Sequence, residues 1–135
     1  MRPAKYEYVF CCGKKFQIEF YFSENGRMPA KELLINSHDQ KVAVKLTALA
    51  KLIADTAVLY DEKKYRIVER KHRIYEFKVL AYRFFSFFSS GGGVIITNGY
   101  RKSSKKVNRR ELGRAIRLKQ DYTERVRRGE YYEKA

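Results

Sequence analysis

The chain has 135 residues and carries 30 Lys+Arg against 15 Asp+Glu, a formal net charge of +15 at pH 7. A hydrophobic content of 44% excludes a disordered protein, and the length predicts one domain. The excess of cations predicts a polyanionic partner, namely nucleic acid, an acidic protein or an anionic membrane.

We predict a single domain over residues 1–135, with 1–15 as an N-terminal extension or extra strand and 129–135 as a tail. The two cysteines, Cys11 and Cys12, are adjacent. Neighbouring cysteines rarely form a disulfide because the ring is strained, so we expect reduced thiols and a cytoplasmic protein. No apolar run reaches the roughly 18–20 residues of a membrane span, and no signal-peptide type of stretch begins the chain.

The N-terminal part of the chain predicts two strands and a short helix. Tyr6–Phe10 and Phe16–Phe22 are β-type runs joined by a glycine turn. The second run alternates apolar and polar residues, which is typical of a half-buried strand. After an Asn-Gly turn, Pro29 suits the first position of a short helix over Pro29–Ile35.

A longer helix follows this short one. Ser37 and Gln40 have the spacing of a capping box, which predicts the start of the helix. Its apolar residues recur on one helical stripe of about 17 residues, and they are Val42, Leu46, Leu49 and Ile53. We expect this helix to cover a sheet. Ala54–Lys64 is then a connector, and Tyr65–Arg70 is either a short strand or a loop.

The centre of the fold is predicted between residues 73 and 102. Its three β-type runs are Arg73–Leu80, Tyr82–Phe88 and Gly93–Tyr100. Cations stand inside these runs or at their ends, namely Lys78, Arg83, Arg101 and Lys102. A cation in a strand is costly unless it meets water or an anion, so we expect one dry face and one basic face.

Two features of this region have competing interpretations. The Ser89–Gly93 segment is glycine-rich, but it lacks the Lys-Ser/Thr of a phosphate-binding loop, which favours a hairpin loop. The aromatic residues of Tyr82–Phe88 are interpreted as core rather than as a platform for stacked RNA bases.

The C-terminal part is strongly basic. Residues 100–135 contain 13 Lys+Arg and 5 Asp+Glu. Asn108, with Glu111 three residues later, predicts the start of a helix that runs from Arg109 to about Arg128. Its expected apolar side consists of Leu112, Ala115, Ile116, Tyr122 and Val126, and the neighbouring stripe consists of Arg110, Arg114, Arg117, Arg125 and Arg128.

The usual hydrolytic devices are missing from the sequence. His38 and His72 have no metal-ligand spacing, and neither paired carboxylates nor a Gly-x-Ser-x-Gly element is present. Lys, Arg and Tyr are abundant, and they can cleave RNA without a metal or cofactor because the RNA 2′-hydroxyl is the nucleophile. Arg would hold the phosphate, Lys could act as a base, and Tyr or a second Lys as an acid. The alternative is a surface that only binds a polyanion.

An ordered set of motifs resembles a known family. The motifs are Phe16–Leu34, Tyr75-Glu76-Phe77-Lys78, Tyr82-Arg83-Phe84, Ile95–Lys102, Lys105-Lys106-Val107-Asn108 and Arg110–Ala115. They cover about residues 16–125 and resemble the RelE/HigB-type toxins of bacterial toxin–antitoxin modules, in the HigB-like, phage-derived branch. Lys78 replaces the arginine of a Glu-Leu-Arg motif, Ser103 replaces the second lysine of a pair, and Asn108 stands near an expected proline.

The resemblance implies a small α+β, RelE-like fold in which a curved antiparallel sheet packs against two helices of the N-terminal half, with a basic C-terminal helix. It implies the toxin of a type II system, a metal-independent endoribonuclease (mRNA interferase) that cuts ribosome-bound mRNA and inhibits translation. Its partners would be mRNA, the ribosome and a cognate antitoxin of helix-turn-helix type, without a cofactor. The alternative is a non-catalytic RNA- or ribosome-binding module of the same fold. Membrane-surface binding is disfavoured because the C-terminal helix lacks a strongly apolar face.

The motif positions supply candidate site residues. The catalytic candidates are Arg83, Lys102, Tyr100 and Lys78. The RNA-binding candidates are Arg101, Lys105, Lys106, Arg109, Arg110, Arg114 and Arg117. Glu76 is interpreted as the partner of a cation on a neighbouring strand, a pair that would hold the sheet in register.

Overall fold

The computed structural model describes residues 2–57 and 63–133. Its helices are α1 (Lys5–Tyr8), α2 (Pro29–Asn36), α3 (Gln40–Thr56) and α4 (Arg109–Arg127). Its strands are β1 (Val9–Cys12), β2 (Gln17–Phe20), β3 (Tyr65–Glu69), β4 (Ile74–Val79), β5 (Tyr82–Phe88) and β6 (Gly93–Arg101). No helix in this part of the chain is both long and apolar enough to cross a membrane.

The six strands form one sheet in the order β1-β2-β6-β5-β4-β3. The predicted α+β class is confirmed, but the sheet is mixed rather than wholly antiparallel, because β2 pairs parallel with β6. The chain leaves the sheet after β2 through α2 and α3 and re-enters it at the far edge as β3. Three antiparallel reversals then bring β6 back beside β2 in the same direction, as a crossover connection permits.

Helix α3 covers one face of the sheet, as predicted from its apolar stripe. The fully buried residues of this layer include Val42, Leu46, Ala50, Ile53, Ile18, Phe77, Phe84 and Ile96. The predicted cap at Ser37 is wrong, since its hydroxyl donates to the Leu34 carbonyl at 2.7 Å and so closes α2 instead. Asp39 caps α3, and its Oδ1 accepts a hydrogen bond from the Lys41 amide at 2.9 Å.

Helix α4 covers much of the other face, so the expected division into one dry and one basic face is wrong. A second apolar layer lies under α4 and contains Tyr21, Phe22, Ile74, Phe85, Phe87, Ile95, Tyr100, Ala115, Tyr122 and Tyr131. The β5 aromatics are therefore core, as interpreted from the sequence. The half-buried strand predicted over Phe16–Phe22 is also corrected. The strand ends at Phe20, and Tyr21 and Phe22, which follow it, are both buried.

The start of α4 matches its prediction, whereas its apolar face differs near the C-terminal end. The Asn108 side chain accepts a hydrogen bond from the Glu111 amide at 3.0 Å and caps the helix. Val126 is 37% exposed, and Arg125 takes the inward position with 4% exposure. The Arg125 guanidinium can be buried because it donates to the Phe22 carbonyl at 2.8 Å and lies over the Tyr131 ring.

Three smaller expectations concern the ends of elements. Residues Lys5–Tyr8 form a helical turn, so the strand predicted over Tyr6–Phe10 begins only at Val9. The Tyr8 ring packs on Phe22 with ring centroids 5.3 Å apart, and Tyr8 belongs to the helical turn rather than to a strand. Tyr65–Glu69 is a strand rather than a loop. The middle of the predicted connector, residues 58–62, lies outside the described residues.

The β5–β6 connection is the predicted hairpin loop. The Ser89 amide donates to the Gly93 carbonyl at 2.8 Å, and the Gly93 amide donates to the Ser89 hydroxyl at 3.1 Å. Gly92 has a φ of +84°, the left-handed conformation that glycine adopts without a steric penalty.

The segment after α4 packs into the second apolar layer. Tyr131 is fully buried, its ring stacks on Phe22 with centroids 4.1 Å apart, and its hydroxyl accepts a hydrogen bond from the Phe22 amide at 3.0 Å. The segment around Tyr131 is thereby fixed to the residues that follow β2.

We expect Tyr131→Ala to lower the free energy of unfolding by about 3–5 kcal/mol, because it removes a buried aromatic ring and leaves an amide without its acceptor. Urea unfolding measures this change. Tyr6→Ala is the matched control, since Tyr6 is 84% exposed and its loss should change stability by less than about 0.5 kcal/mol. Equal effects of the two substitutions would contradict the packing described for Tyr131.

Candidate active site

Three of the four catalytic candidates lie in one row across the sheet. Lys78 on β4 pairs with Arg83 on β5, and Arg83 pairs with Tyr100 on β6. Directly paired residues of neighbouring strands point to the same face, so the three side chains share the face that α4 covers further along the sheet. Lys102 follows β6, and its amide donates to the Ala81 carbonyl at 2.6 Å. We call these four residues, Lys78, Arg83, Tyr100 and Lys102, the cationic row.

Arg83 is the least exposed cation of the cationic row, with 5% exposure. Its Nη1 donates to the carbonyls of Leu80 at 2.8 Å and of Tyr82 at 2.9 Å, so the guanidinium braces the β4–β5 turn. The facing backbone approaches closely here. A Cβ on Gly99 would lie 2.2 Å from the Arg83 carbonyl oxygen, so only glycine fits at this position of β6.

Glu76 is a buried carboxylate in the middle of these cations. It is 2% exposed, and its Oε1 lies 3.8 Å from Arg83 Nε and 3.9 Å from an Arg66 guanidinium nitrogen. Arg66 is its register partner on β3, so the predicted pairing with a cation of a neighbouring strand is present. Glu76 Oε2 makes no hydrogen bond within the described residues. Burial raises the pKa of Glu76, although Arg66, Arg83, Lys102 and Lys78 each favour its charged form.

Tyr100 joins the cationic row to the start of α4. It is 9% exposed, and its hydroxyl accepts a hydrogen bond from the Asn108 amide at 3.3 Å. Burial raises the pKa of Tyr100, so its phenol keeps a proton that it can donate. A second contact fixes the same helix end, because the Asn98 side chain donates to the Glu111 carbonyl at 3.0 Å. The partial positive charge of this helix end therefore lies near the cationic row.

An exposed basic surface continues from the cationic row. All seven RNA-binding candidates are exposed, and they are Arg101, Lys105, Lys106, Arg109, Arg110, Arg114 and Arg117. They lie at the end of β6, on the loop that follows and on the outer side of α4. Because α4 begins beside Tyr100, a polyanion bound along these residues would reach the cationic row.

Sequence reasoning missed two residues of this site. Glu76 was interpreted only as one member of a pair that holds the sheet in register, and Arg66 was not selected. Both lie beside the cationic row on the same face of the sheet. The sequence did offer a signal for Glu76, because it is an acid within a mostly apolar run and the neighbouring runs carry cations. His72 lies elsewhere, on the β3–β4 turn, where its Nδ1 is 3.2 Å from Glu69 Oε2.

The arrangement can bind an anion and exchange protons. The cations can hold a phosphate, Glu76 can accept a proton, and Tyr100 can donate one. Among residues 2–57 and 63–133, no group of three or more His, Cys, Asp or Glu side chains could hold a metal ion.

The fold and the site define a small α+β protein with a cationic row at one end of a sheet that is covered on both faces. A family model described as "Phage derived protein Gp49-like (DUF891)" matches residues 34–120, which include the whole cationic row. The chain belongs to this Gp49-like family of phage-derived proteins. Membership supports a toxin-like protein of a toxin–antitoxin module, with an antitoxin as partner. No curated protein matches the chain significantly.

The raised pKa of Glu76 has a consequence for stability. An acid whose pKa is raised by folding binds its proton more tightly in the folded state, so ionising it lowers the free energy of unfolding. That loss begins above the ordinary value of 4.5 and is complete above the folded pKa. We therefore expect the melting temperature of Glu76→Gln minus that of the wild type to be larger at pH 7 than at pH 4.

Thermal melts at the two pH values measure this difference. Glu133→Gln is the control. Because Glu133 is exposed, its substitution should change the melting temperature by a similar amount at both pH values. A Glu76→Gln protein that loses stability on going from pH 4 to pH 7 as steeply as the wild type would contradict the argument.

Proposed function

We propose that the protein is the toxin of a type II toxin–antitoxin module of RelE/HigB type. In this proposal it is a metal-independent endoribonuclease that cuts ribosome-bound mRNA and so inhibits translation in the cytoplasm. The observation that carries the proposal is the buried Glu76 carboxyl among the cations of the site, beside the protonated Tyr100 phenol. Membership of the Gp49-like family supports the toxin assignment.

The reaction is an internal transfer at phosphorus. The RNA 2′-oxygen attacks the adjacent phosphorus, Glu76 accepts the 2′-hydroxyl proton, and the bond from phosphorus to the 5′-oxygen breaks. Tyr100 donates a proton to that leaving oxygen. The products are a 2′,3′-cyclic phosphate and a 5′-hydroxyl, and water, metal and cofactor take no part.

The cations have separate roles in this scheme. Arg66 is half-exposed beside Glu76, so it can turn from the carboxylate to the incoming phosphate. Lys78 and Lys102 add charge on either side, and these cations stabilise the negative charge that develops on the phosphate oxygens. Arg83 holds the β4–β5 turn and keeps Glu76 in place. The exposed cations of α4 and of the preceding loop bind the RNA backbone.

A non-catalytic RNA- or ribosome-binding module of the same fold is the second candidate. The burial of Arg83 favours it, because Nη1 of Arg83 is engaged by two backbone carbonyls. The departure at Lys78 also favours it, since Lys cannot hold a phosphate with the two-pronged geometry of Arg.

Cleavage of an mRNA in a translation extract tests the first candidate, and cleavage of the free mRNA in a buffer with EDTA tests whether a metal is needed. The wild type should produce 5′-hydroxyl ends and 2′,3′-cyclic phosphate ends, faster on translated than on free mRNA. Tyr100→Phe and Glu76→Gln should each slow cleavage about 10²-fold or more, because each removes a proton-transfer group.

Lys71→Gln is the control, because Lys71 lies on the β3–β4 turn at the opposite end of β4 from Lys78, and its rate should stay within about twofold of the wild-type rate. Thermal melts show whether each variant is folded. Salt-sensitive RNA binding without cleaved ends would reject the nuclease in favour of the binding module.

The exposed loop after β6 gives an independent prediction. Replacing both Lys105 and Lys106 by Gln should lower the slope of log affinity against log salt for single-stranded RNA by about 1.4, since each phosphate contact contributes about 0.7. Fluorescence anisotropy at several salt concentrations measures the slope. Replacing Lys5 and Lys14, which are exposed elsewhere on the chain, removes the same charge and should change the slope much less. Equal changes in both double variants would argue against an RNA path along this loop.

A further inference from the structure

Helix α3 has a second apolar stripe that faces solvent. Its first stripe covers the sheet, whereas Val44, Ala48 and Leu52 recur every four residues on another side and are all exposed. Val44 is 66% exposed and Leu52 is 42% exposed. A helix that needs only to cover a sheet has no use for a second apolar stripe, and exposed apolar patches of this kind mark interaction surfaces.

A groove of about 370 Å³ runs beside this stripe, between α3 and the end of β4. Leu49, Leu52 and Leu80 supply much of its apolar lining, and Lys45, Lys64 and Lys78 are the charged residues that line it. None of the described residues that line it is acidic. We call it the lysine-rimmed groove.

Leu80 stands at the tip of the β4–β5 turn in a conformation that is unfavourable for leucine. Its φ is +55°, in the left-handed region, and its side chain is 46% exposed. Glycine or asparagine would fit the turn better. Strained residues of this kind cluster at functional sites, and a large apolar side chain here has no core to fill. Its exposed position in the groove suits contact with a partner.

The groove also adjoins the candidate active site. The Leu80 carbonyl accepts a hydrogen bond from Arg83 Nη1 at 2.8 Å, and the residue after Lys78, Val79, lines the groove. A molecule that fills the groove can therefore hold the turn that Arg83 braces.

We propose that the lysine-rimmed groove binds an acidic amphipathic helix of the antitoxin. The identity of this partner rests on the proposed function. Apolar side chains one and two turns apart would pack on Leu49, Leu52 and Leu80, and flanking carboxylates would meet Lys45 and Lys64. A second copy of this chain is disfavoured, because a chain of net charge +15 repels itself at a cationic rim. Binding reduces RNA cleavage by holding the β4–β5 turn, whose Leu80 carbonyl accepts a hydrogen bond from Arg83.

A synthetic 18-residue helical peptide tests the proposal. The probe has leucines at helical spacing on one face and glutamates elsewhere, and the control peptide has the same composition with the leucines scrambled. The wild type should bind the probe at least about tenfold more tightly than the control by fluorescence anisotropy, and the probe should slow RNA cleavage.

Five variants locate the binding. Leu52→Ser and Leu80→Asn should each weaken probe binding about tenfold, and asparagine tolerates the positive φ so that the second variant folds. Ile35→Ser is the matched control, since Ile35 is 61% exposed on α2 and does not line the groove, and its affinity should stay within about twofold. Lys45→Glu should weaken binding more than Lys71→Glu, which makes the same charge change away from the groove.

Two outcomes of these binding experiments would overturn the proposal. One is equal affinity of the wild type for the probe and the scrambled peptide, and the other is full affinity in Leu52→Ser and Leu80→Asn. Sedimentation velocity and vesicle pelleting supply two more. Self-association that Leu52→Ser abolishes would assign the groove to a second copy, and capture by anionic vesicles that depends on Leu52 would assign it to a membrane.

The proposal and the nuclease assignment fail separately. A wild type that cleaves RNA but ignores the probe refutes the docking site alone. A wild type that binds the probe as expected but leaves RNA intact refutes the nuclease alone.

Discussion

The central constraint on this fold is that strand β5 carries large aromatic side chains on both of its faces. Phe84 packs toward α3, whereas Phe85 and Phe87 pack toward α4, and all three are essentially unexposed. A strand of this kind is stable only between two covering layers, so α4 must lie on the sheet although its outer surface is strongly basic. Because Asn108, the residue that caps α4, lies beside Tyr100, the sheet end before it is not covered by α4. The cationic row lies at that end.

The burial of Glu76 determines the electrostatics of this site. Its carboxylate lies among cations, yet none of the cations in the described part of the chain approaches within hydrogen-bonding distance. The nearest guanidinium nitrogens are 3.8 and 3.9 Å away. Desolvation therefore outweighs the attraction and raises the pKa of Glu76. A closely paired carboxylate would be a poor proton acceptor, since its partner would hold the pKa low. The loose pairing leaves a carboxylate that can take a proton while its cations engage a phosphate.

Local patterns predicted those parts of the fold that depend on local physics. The period of α3, the Asn108 cap and the hairpin loop at Gly93 each involve residues within a few positions of one another, and all three are present. Contacts between distant segments could not be read in this way. The burial of Arg125 depends on Phe22 and Tyr131, and the Tyr132 hydroxyl donates to Glu19 at 2.7 Å across more than a hundred residues. The parallel pairing of β2 with β6 likewise follows from the path of the whole chain. For the site, the order of the motifs was enough to group Lys78, Arg83 and Tyr100. The environment of Glu76 could be known only from the register of neighbouring strands.

The β4–β5 turn connects the interior of the site to its outer surface. Arg83 is held on one side by the Glu76 carboxylate and on the other by the turn carbonyls of Leu80 and Tyr82. A change in the turn therefore changes the position of the guanidinium, and with it the charge that faces Glu76. Leu80 presents a large side chain to solvent at this turn in spite of its left-handed backbone. A partner that binds Leu80 can thus affect Glu76 without contacting it, because one guanidinium contacts both the turn and the Glu76 carboxylate.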